Sequence, residues 1–234
     1  MLEVNDRRKR IIPFIKPAAD VSTAEGRWKG SDTVRVLGIS GSMRASRYTY
    51  TLVDRVICEM RSIDSGVEAE IINIIDKNIN PCRVLCSAHC SGKPFQCSVS
   101  DDCAEILHRM MQADALVIGA PLYFRAPPSK FHMLIERLIA LFFNLETLGD
   151  GTVESPLKGR PCGLIGVAEY SNPHQMLEYL HDFCMLLRMK PVTIDRFPYL
   201  GVAGQGDINR DAIFHPFDRA KDLAYAIMKQ AGKL

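Results

Sequence analysis

Two groups of side chains in this sequence are of a type and spacing that could do chemistry. Five of its eight cysteines, Cys82, Cys86, Cys90, Cys97 and Cys103, fall within 22 residues. Thiols that crowded, in a chain expected to stay in the cytoplasm, point to metal binding or catalysis rather than to a disulfide framework. The spacing is Cys82-x3-Cys86-x3-Cys90-x6-Cys97, with Cys103 further on. Four thiolates from one irregular loop are what a cubane iron–sulfur cluster takes. Zinc is a competing ligand, although its paired C-x2-C knuckles are absent and His89 would have to replace a thiolate. Free thiols, one of them redox-active, are the third reading. Cys103 opens a helix beside Asp101 and Asp102 and is the spare, which leaves Cys82, Cys86, Cys90 and Cys97 as the candidate ligands. Cys58, Cys162 and Cys184 fall on apolar faces and are expected to pack.

The second group is the loop Gly38-Ile39-Ser40-Gly41-Ser42-Met43-Arg44-Ala45-Ser46-Arg47-Tyr48-Thr49. It joins an expected strand to an expected helix and supplies small residues, hydroxyls, two arginines and the free N–H groups of a helix start. A phosphate needs those parts: close backbone approach, several donors and the positive end of a helix dipole. The plainer reading is a polar turn whose serines cap the helix. A dinucleotide fingerprint G-x-G-x-x-G is absent, as is a Walker A loop. A hydrolase elbow G-x-S-x-G fails because position 42 is Ser. The monophosphate of a single nucleotide fits best.

The elements that must hold these groups alternate. Residues 34–39 form a short β-rich run. From 47 to 64 apolar residues recur at helical spacing (Leu52, Val53, Val56, Ile57, Met60, Ile63). Val67–Ile75 is expected to be a second strand. The cysteine stretch, 80–100, lacks periodicity and is a loop or insertion. Ser100-Asp101-Asp102 caps a helix running through Met111. The unbroken apolar run Ala115–Pro121 is a central parallel strand buried on both faces. A helix is expected over 128–144, a fourth strand at 162–167, a helix at 174–189, a fifth strand at 191–197 and a last helix at 211–231. The 128–144 helix buries Phe131, Leu134, Ile135, Leu138, Ile139 and Phe142, and the last one buries Phe217, Ala220, Leu223, Ala224, Ile227 and Met228.

Strands alternating with helices make a parallel sheet covered on both faces, an α/β fold. Ligands of such sheets bind beyond the carboxyl ends of the strands. That singles out loops 40–48, 121–128 and 168–174, with the cysteine loop in the same region.

Composition narrows the rest. The 234 residues are 47% hydrophobic and 24% charged, ordinary globular values that exclude a disordered or collagen-like chain. The net charge is +2, and the chain beyond residue 33 holds 22 basic and 22 acidic residues, so no nucleic-acid footprint is present. No apolar run approaches the roughly 20 residues that span a bilayer. The basic cluster Arg7-Arg8-Lys9-Arg10 precedes an apolar stretch too short and broken for a signal peptide. The expected location is therefore cytoplasmic, with no membrane partner. Residues 1–33 form an N-terminal arm, either flexible or wrapped on a second subunit, before one domain at 34–234.

The loop from Gly38 to Ser46 resembles the phosphate loop G-I-S-G-S-P-R of the flavodoxin-like NAD(P)H-dependent FMN reductases. Ala120-Pro121-Leu122-Tyr123-Phe124, with Ser129 and Ile135-Glu136-Arg137, is similar to their flavin segment P-x-Y-F…S…I-D-R. The cysteine loop followed by Asp101-Asp102 resembles the iron–sulfur flavoprotein branch, whose first three cysteines are set two residues apart rather than three. Met43 replaces the usual Pro, His132 stands where Lys is common and Glu136 replaces Asp. The resemblance covers about 34–230.

It implies a flavodoxin-like three-layer sandwich with a five-stranded parallel sheet and the cysteine loop as an insertion. Ser40, Ser42, Arg44, Ser46, Tyr48 and Thr49 would hold the FMN phosphate, and Pro121, Leu122, Tyr123 and Phe124 would lie along the flavin ring. Apolar surface and backbone donors after a buried strand suit that ring, unless Tyr123 and Phe124 are ordinary core aromatics. Glu169 and Tyr170, in the segment 168–172 after the fourth strand, either make a third contact or lie on a surface turn, and Arg125 could stabilise the reduced, negatively charged ring. His132 either approaches the flavin or lies on a helix surface.

The expected activity is electron transfer between a reduced donor, NAD(P)H or a ferredoxin-like protein, and an acceptor, through FMN and a [4Fe-4S] cluster. A cluster-free NAD(P)H:FMN or quinone reductase is one alternative, and a non-catalytic electron carrier or redox-sensing module is another. The resemblance also implies a homodimer or homotetramer. Flavin-centred chemistry needs no catalytic side chain.

Overall fold

The computed structural model describes residues 33–83, 99–138, 155–206 and 214–234. Nearly all of the expected N-terminal arm, three of the candidate ligands (Cys86, Cys90 and Cys97), His89 and the far end of the 128–144 helix lie outside the described residues.

In chain order the elements are β1 (Val34–Ser40), α1 (Tyr48–Ile63), β2 (Val67–Asn73), α2 (Cys103–Gln112), β3 (Ala115–Pro121), α3 (Ser129–Arg137), β4 (Pro161–Ala168), α4 (His174–Leu186), β5 (Lys190–Pro191), β6 (Val202–Gln205) and α5 (Pro216–Gln230). A single 3₁₀ turn, Ile74–Asp76, follows β2. The sheet is parallel throughout its pairings, in the order β2-β1-β3-β4-β5, and β6 also pairs with β4. That order is the flavodoxin-like one.

Crossover handedness explains the layers. A right-handed connection puts its helix on one face when the chain moves one way across the sheet, and on the other face when it moves back. Only the step from β1 to β2 runs in reverse. α1 therefore lies with α5 on one face, where Leu52, Val53, Val56 and Ile57 meet Leu223, Ala224 and Ile227. The opposite face packs Ile106 and Met110 of α2, Phe131 and Leu134 of α3, and Leu177 and Leu180 of α4. Between them β3 is buried at all seven positions, as its apolar run requires.

Several local expectations change. The fifth strand does not run through 191–197. Val192 still donates its N–H to the Cys162 carbonyl, but the chain then leaves the sheet and rejoins β4 ten residues later, at Val202, opposite Ile165. Val192 and Ile194 are buried beneath the helices all the same, which is why their run looks strand-like. Cys58 is exposed, because the stripe that α1 buries passes through positions 52, 53, 56, 57 and 60. Phe217 is exposed as well, with the Arg55 guanidinium 5.8 Å above its ring. Cys103, Cys162 and Cys184 are buried in the core.

The two ends of the cysteine loop are pinned together. Asn78 donates its N–H to the Asp102 carboxylate (2.7 Å), and Asp102 returns its own N–H to the Asn78 carbonyl (2.9 Å). Asp101 accepts the N–H groups of Asn80 and Cys103, so it caps α2 and clasps the incoming chain at once. Arg137, at the end of α3, donates to Asp101 Oδ2 at 2.8 Å and to the Asn80 carbonyl at 3.1 Å. Both side chains of this ion pair are hidden, 3% exposed for Arg137 and 0% for Asp101.

Burial pushes the Asp101 carboxyl up, but the Arg137 guanidinium and the two backbone N–H groups outweigh it and hold the carboxyl below its ordinary value. The ionised pair therefore adds stability above about pH 4, where an unfolded Asp is already charged, and that stability is lost as pH falls through the lower folded value. Urea denaturation at pH 7 and at about pH 3 should show this loss. Asp101→Asn, which takes the Asp101 charge from the buried guanidinium, should cost about 3–5 kcal/mol at pH 7. Parental stability in that variant would contradict the assignment.

Candidate functional site

The reversed step at β1 leaves a crevice at the carboxyl edge of the sheet, because the chain leaves β1 toward one face and β3 toward the other. Adjacent strands run about 5 Å apart, so the loops after β1, β3 and β4 stand side by side. Ser40 is in register with Gly119, and Pro121 with Val167. These loops carry the three sets of residues expected to meet a ligand.

The β1 loop is seated by close approach. Gly41 donates its N–H to the Gly119 carbonyl at 2.7 Å. A Cβ on Gly41 would lie 2.8 Å from the Phe131 ring of α3, so only glycine lets the loop rest there. Ser42 turns the loop with its own hydroxyl, which accepts from the Arg44 N–H and donates to the Arg44 carbonyl. Ser46 stands at φ +50°, exposed like Arg44 and Arg47, while Thr49 is buried at the start of α1. Tyr48 lays its ring against Gly204 of β6, where a Cβ would come within 2.7 Å of it.

Two groups in this corner lack what a folded chain normally provides. The 16-residue helix α1 begins at Arg47 with no side-chain cap and no acidic residue in its first turn. The expected serine cap is therefore not made, and the dipole's positive end faces the loop without a carboxylate. Below it, Ser40 is fully buried and its Oγ has no hydrogen-bond partner among the described residues. A buried hydroxyl left so costs about 1–3 kcal/mol. An anion placed between them could satisfy both.

The β3 loop is a tight turn. Tyr123 and Ala126 exchange backbone hydrogen bonds (2.8 and 3.0 Å). Phe124 and Arg125 between them sit at φ +49° and +67°, the φ pattern of a type I′ turn. Such angles cost a residue with a Cβ roughly 1–2 kcal/mol. The turn holds Tyr123 part-exposed and Phe124 fully exposed, so neither is a core aromatic; Pro121 and Leu122 are buried beneath them.

After β4, Glu169 and Tyr170 are exposed side by side, and the Glu169 carboxylate accepts the Tyr170 hydroxyl and raises its pKa. Gln205 ties this loop down by donating to the Ser171 carbonyl. His132 is exposed on the surface of α3, with its Nδ1 2.9 Å from the Tyr179 hydroxyl on α4. Burial and the nearby Glu136 charge push that phenol up.

The structure thus brings Ser40 to Thr49, Pro121 to Phe124 and Glu169–Tyr170 to one edge. Of the candidate metal ligands only Cys82 is among the described residues, half-buried just beyond the pinned loop end. Among the described residues no three His, Cys, Asp or Glu side chains gather as a metal site. The sequence pattern shows Gly41 and Arg137 only as members of motifs and does not single out Gly204; each acts on a partner far along the chain.

A flavodoxin-like sheet with a phosphate-type corner beside a strained aromatic turn defines a mononucleotide-binding α/β protein. Residues 34–197 match the NADPH-dependent FMN reductase family, and the chain belongs to it, within its iron–sulfur flavoprotein branch. It is accordingly a flavin-dependent oxidoreductase. An iron–sulfur flavoprotein of Archaeoglobus fulgidus is 36% identical over 208 residues, 85% of this chain and 96% of that protein. Another, from Methanocaldococcus jannaschii, is 29% identical over 175 residues, 74% of this chain and 82% of its own. Among solved structures, RosB with a bound riboflavin-phosphate intermediate superposes with a TM-score of 0.66 at 18% identity, over 86% of this chain and 79% of that one. That likeness speaks for the fold. No helix of the described residues is long and apolar enough to cross a membrane.

The seat of the loop is directly testable. Gly41→Ala must displace the Phe131 ring or the loop, and should lower unfolding stability by about 1–3 kcal/mol. A urea midpoint equal to the parent's would show that the contact has room to give.

Proposed function

We propose that the chain binds FMN at this edge and passes electrons from NAD(P)H, or from a reduced ferredoxin-like protein, to an acceptor, with a [4Fe-4S] cluster in the cysteine loop. One observation carries the flavin part: the fully buried Ser40 hydroxyl, unpartnered among the described residues, beneath the uncapped start of α1. A phosphate dianion supplies what both lack, an acceptor for the hydroxyl and for the first-turn N–H groups and a charge to match the dipole.

When bound, FMN supplies the chemistry itself, accepting electrons in pairs and releasing them singly. The chain's residues do the rest. Ser40, Thr49 and the first-turn N–H groups hold the phosphate; Arg44 and Ser46, at the exposed rim, close over it; Ser42 keeps the loop's shape. Tyr48, against β6, walls the corner. Pro121 and Leu122 support the ring from below, Tyr123 and Phe124 border it, and Glu169 with Tyr170 lines the third side. Arg125, on the same strained turn, puts a positive charge near the ring, so Arg125→Ala should lower the flavin midpoint potential. An unchanged potential would remove Arg125 from the site.

Cys82, Cys86, Cys90 and Cys97 are the proposed cluster ligands, and the branch to which the chain belongs supports that reading. The exposed Phe124, Tyr170, Phe197 and Tyr199 suit an assembled homodimer or homotetramer, in which apolar surface of this kind is covered.

The decisive variant is Ser40→Ala. It should weaken FMN binding about tenfold or more, as expected for a hydrogen bond to a charged group, while binding of riboflavin, which has no phosphate, stays as it was. The FMN-free variant should unfold no earlier than the parent, because the hydroxyl has no partner to lose. Equal FMN affinity in parent and variant, measured by flavin fluorescence quenching, would contradict the phosphate assignment.

A further inference from the structure

The buried Asp101–Arg137 pair is not used by the flavin site. A buried ion pair adds little net stability over well-packed apolar residues, so stability alone does not account for it. What it does provide is geometry. The planar guanidinium addresses two strands of chain at once, the Asn80 carbonyl at 3.1 Å and the Asp101 carboxylate at 2.8 and 3.3 Å. Asn80 is two residues before Cys82, and Asp101 is four after Cys97. One fork thereby sets the separation and register of the two ends of the cysteine loop.

The same helix is tied down at its other end. Lys130, in the first turn of α3, donates to the carbonyls of Ile75 and Lys77, each at 2.9 Å. α3 begins three residues after the strained Tyr123–Ala126 turn. Lys130 and Arg137 therefore join the turn's helix to the chain entering Cys82 as one body.

We propose that Arg137 is a positioning residue for the cysteine loop: through Asn80 and Asp101 it fixes the loop's neck to α3, so that both ends of the loop are held at a set place relative to the flavin-edge turn. Lys130 is its weaker counterpart. This assignment rests on the proposed reading of the loop as the cluster's holder, and the experiment separates the two.

The full-length chain is purified anaerobically as parent, Arg137→Lys, Arg137→Met and Lys130→Met, and FMN, iron and sulfide are counted per chain. Groups that orient metal ligands typically cost about 10–100-fold in metal affinity when removed. Arg137→Met should lose iron and sulfide on that scale and keep its FMN, Arg137→Lys should recover part of the loss, and Lys130→Met should lose less. Should Arg137→Met not fold, Arg137→Lys and Lys130→Met make the same comparison. Parental iron in the folded variants would overturn the proposal. So would FMN and iron falling together, which is what a general loss of structure does.

A parent chain without iron would refute the cluster reading alone. The neck is then tested by reacting the thiols with an aromatic disulfide reagent while FMN is bound. Arg137→Met should react roughly tenfold faster than the parent, since local opening exposes the loop. An unchanged rate would overturn the positioning role.

Discussion

The first turn of α1 has nothing of its own to satisfy it, and the site is organised around that deficit. Because the chain reverses direction after β1, the amino end of a 16-residue helix comes to rest beside the carboxyl ends of β1 and β3. Among the described residues no side chain caps it, its first turn holds no carboxylate, and the Ser40 hydroxyl underneath is buried without a partner. The neighbouring turn adds backbone strain at Phe124 and Arg125. Folding tolerates these costs because two packed cores, one on each face of the sheet, over-determine the backbone there. A phosphate at the helix and a flat ring along the turn would relieve both together.

Charge elsewhere on the molecule plays a smaller part. Arg35 with Asp114, Arg55 with Glu59, and Arg109 with Glu70 and Glu105 are surface pairs, each worth little in water. Asp101–Arg137 differs because it is hidden and because backbone groups share it. The result is a body of near-neutral charge with an internal fastening placed where an otherwise aperiodic loop enters and leaves the domain.

What could be read from the sequence was what local pattern encodes. The apolar run 115–121 announced a strand buried on both faces, and the apolar spacing of α1 named Leu52, Val53, Val56, Ile57 and Met60, which it buries. The Gly/Ser loop was legible because close approach and helix starts demand small, polar residues. Cys58 and Phe217 were misplaced, since an apolar residue one step off the stripe looks the same in a list as one on it. The interrupted fifth strand was hidden because Val192 and Ile194 stay buried after leaving the sheet. Arg137 and Asp101, 36 residues apart, carried no local sign of their pairing; Asp101 was expected to cap a helix and Arg137 to lie within another. Gly41 was visible as a glycine but not as the seat of the Phe131 ring, a contact only the folded chain makes.

The central claim is that one chain holds a flavin phosphate under α1 and an iron–sulfur cluster in its cysteine loop. Anaerobic purification, followed by a visible spectrum and counts of FMN, iron and sulfide per chain, tests it most directly. The account predicts one FMN with about four iron and four sulfide, the composition of a cubane site. One FMN with neither iron nor sulfide after reconstitution would contradict the cluster half, and a chain that neither carries nor binds FMN would contradict the whole.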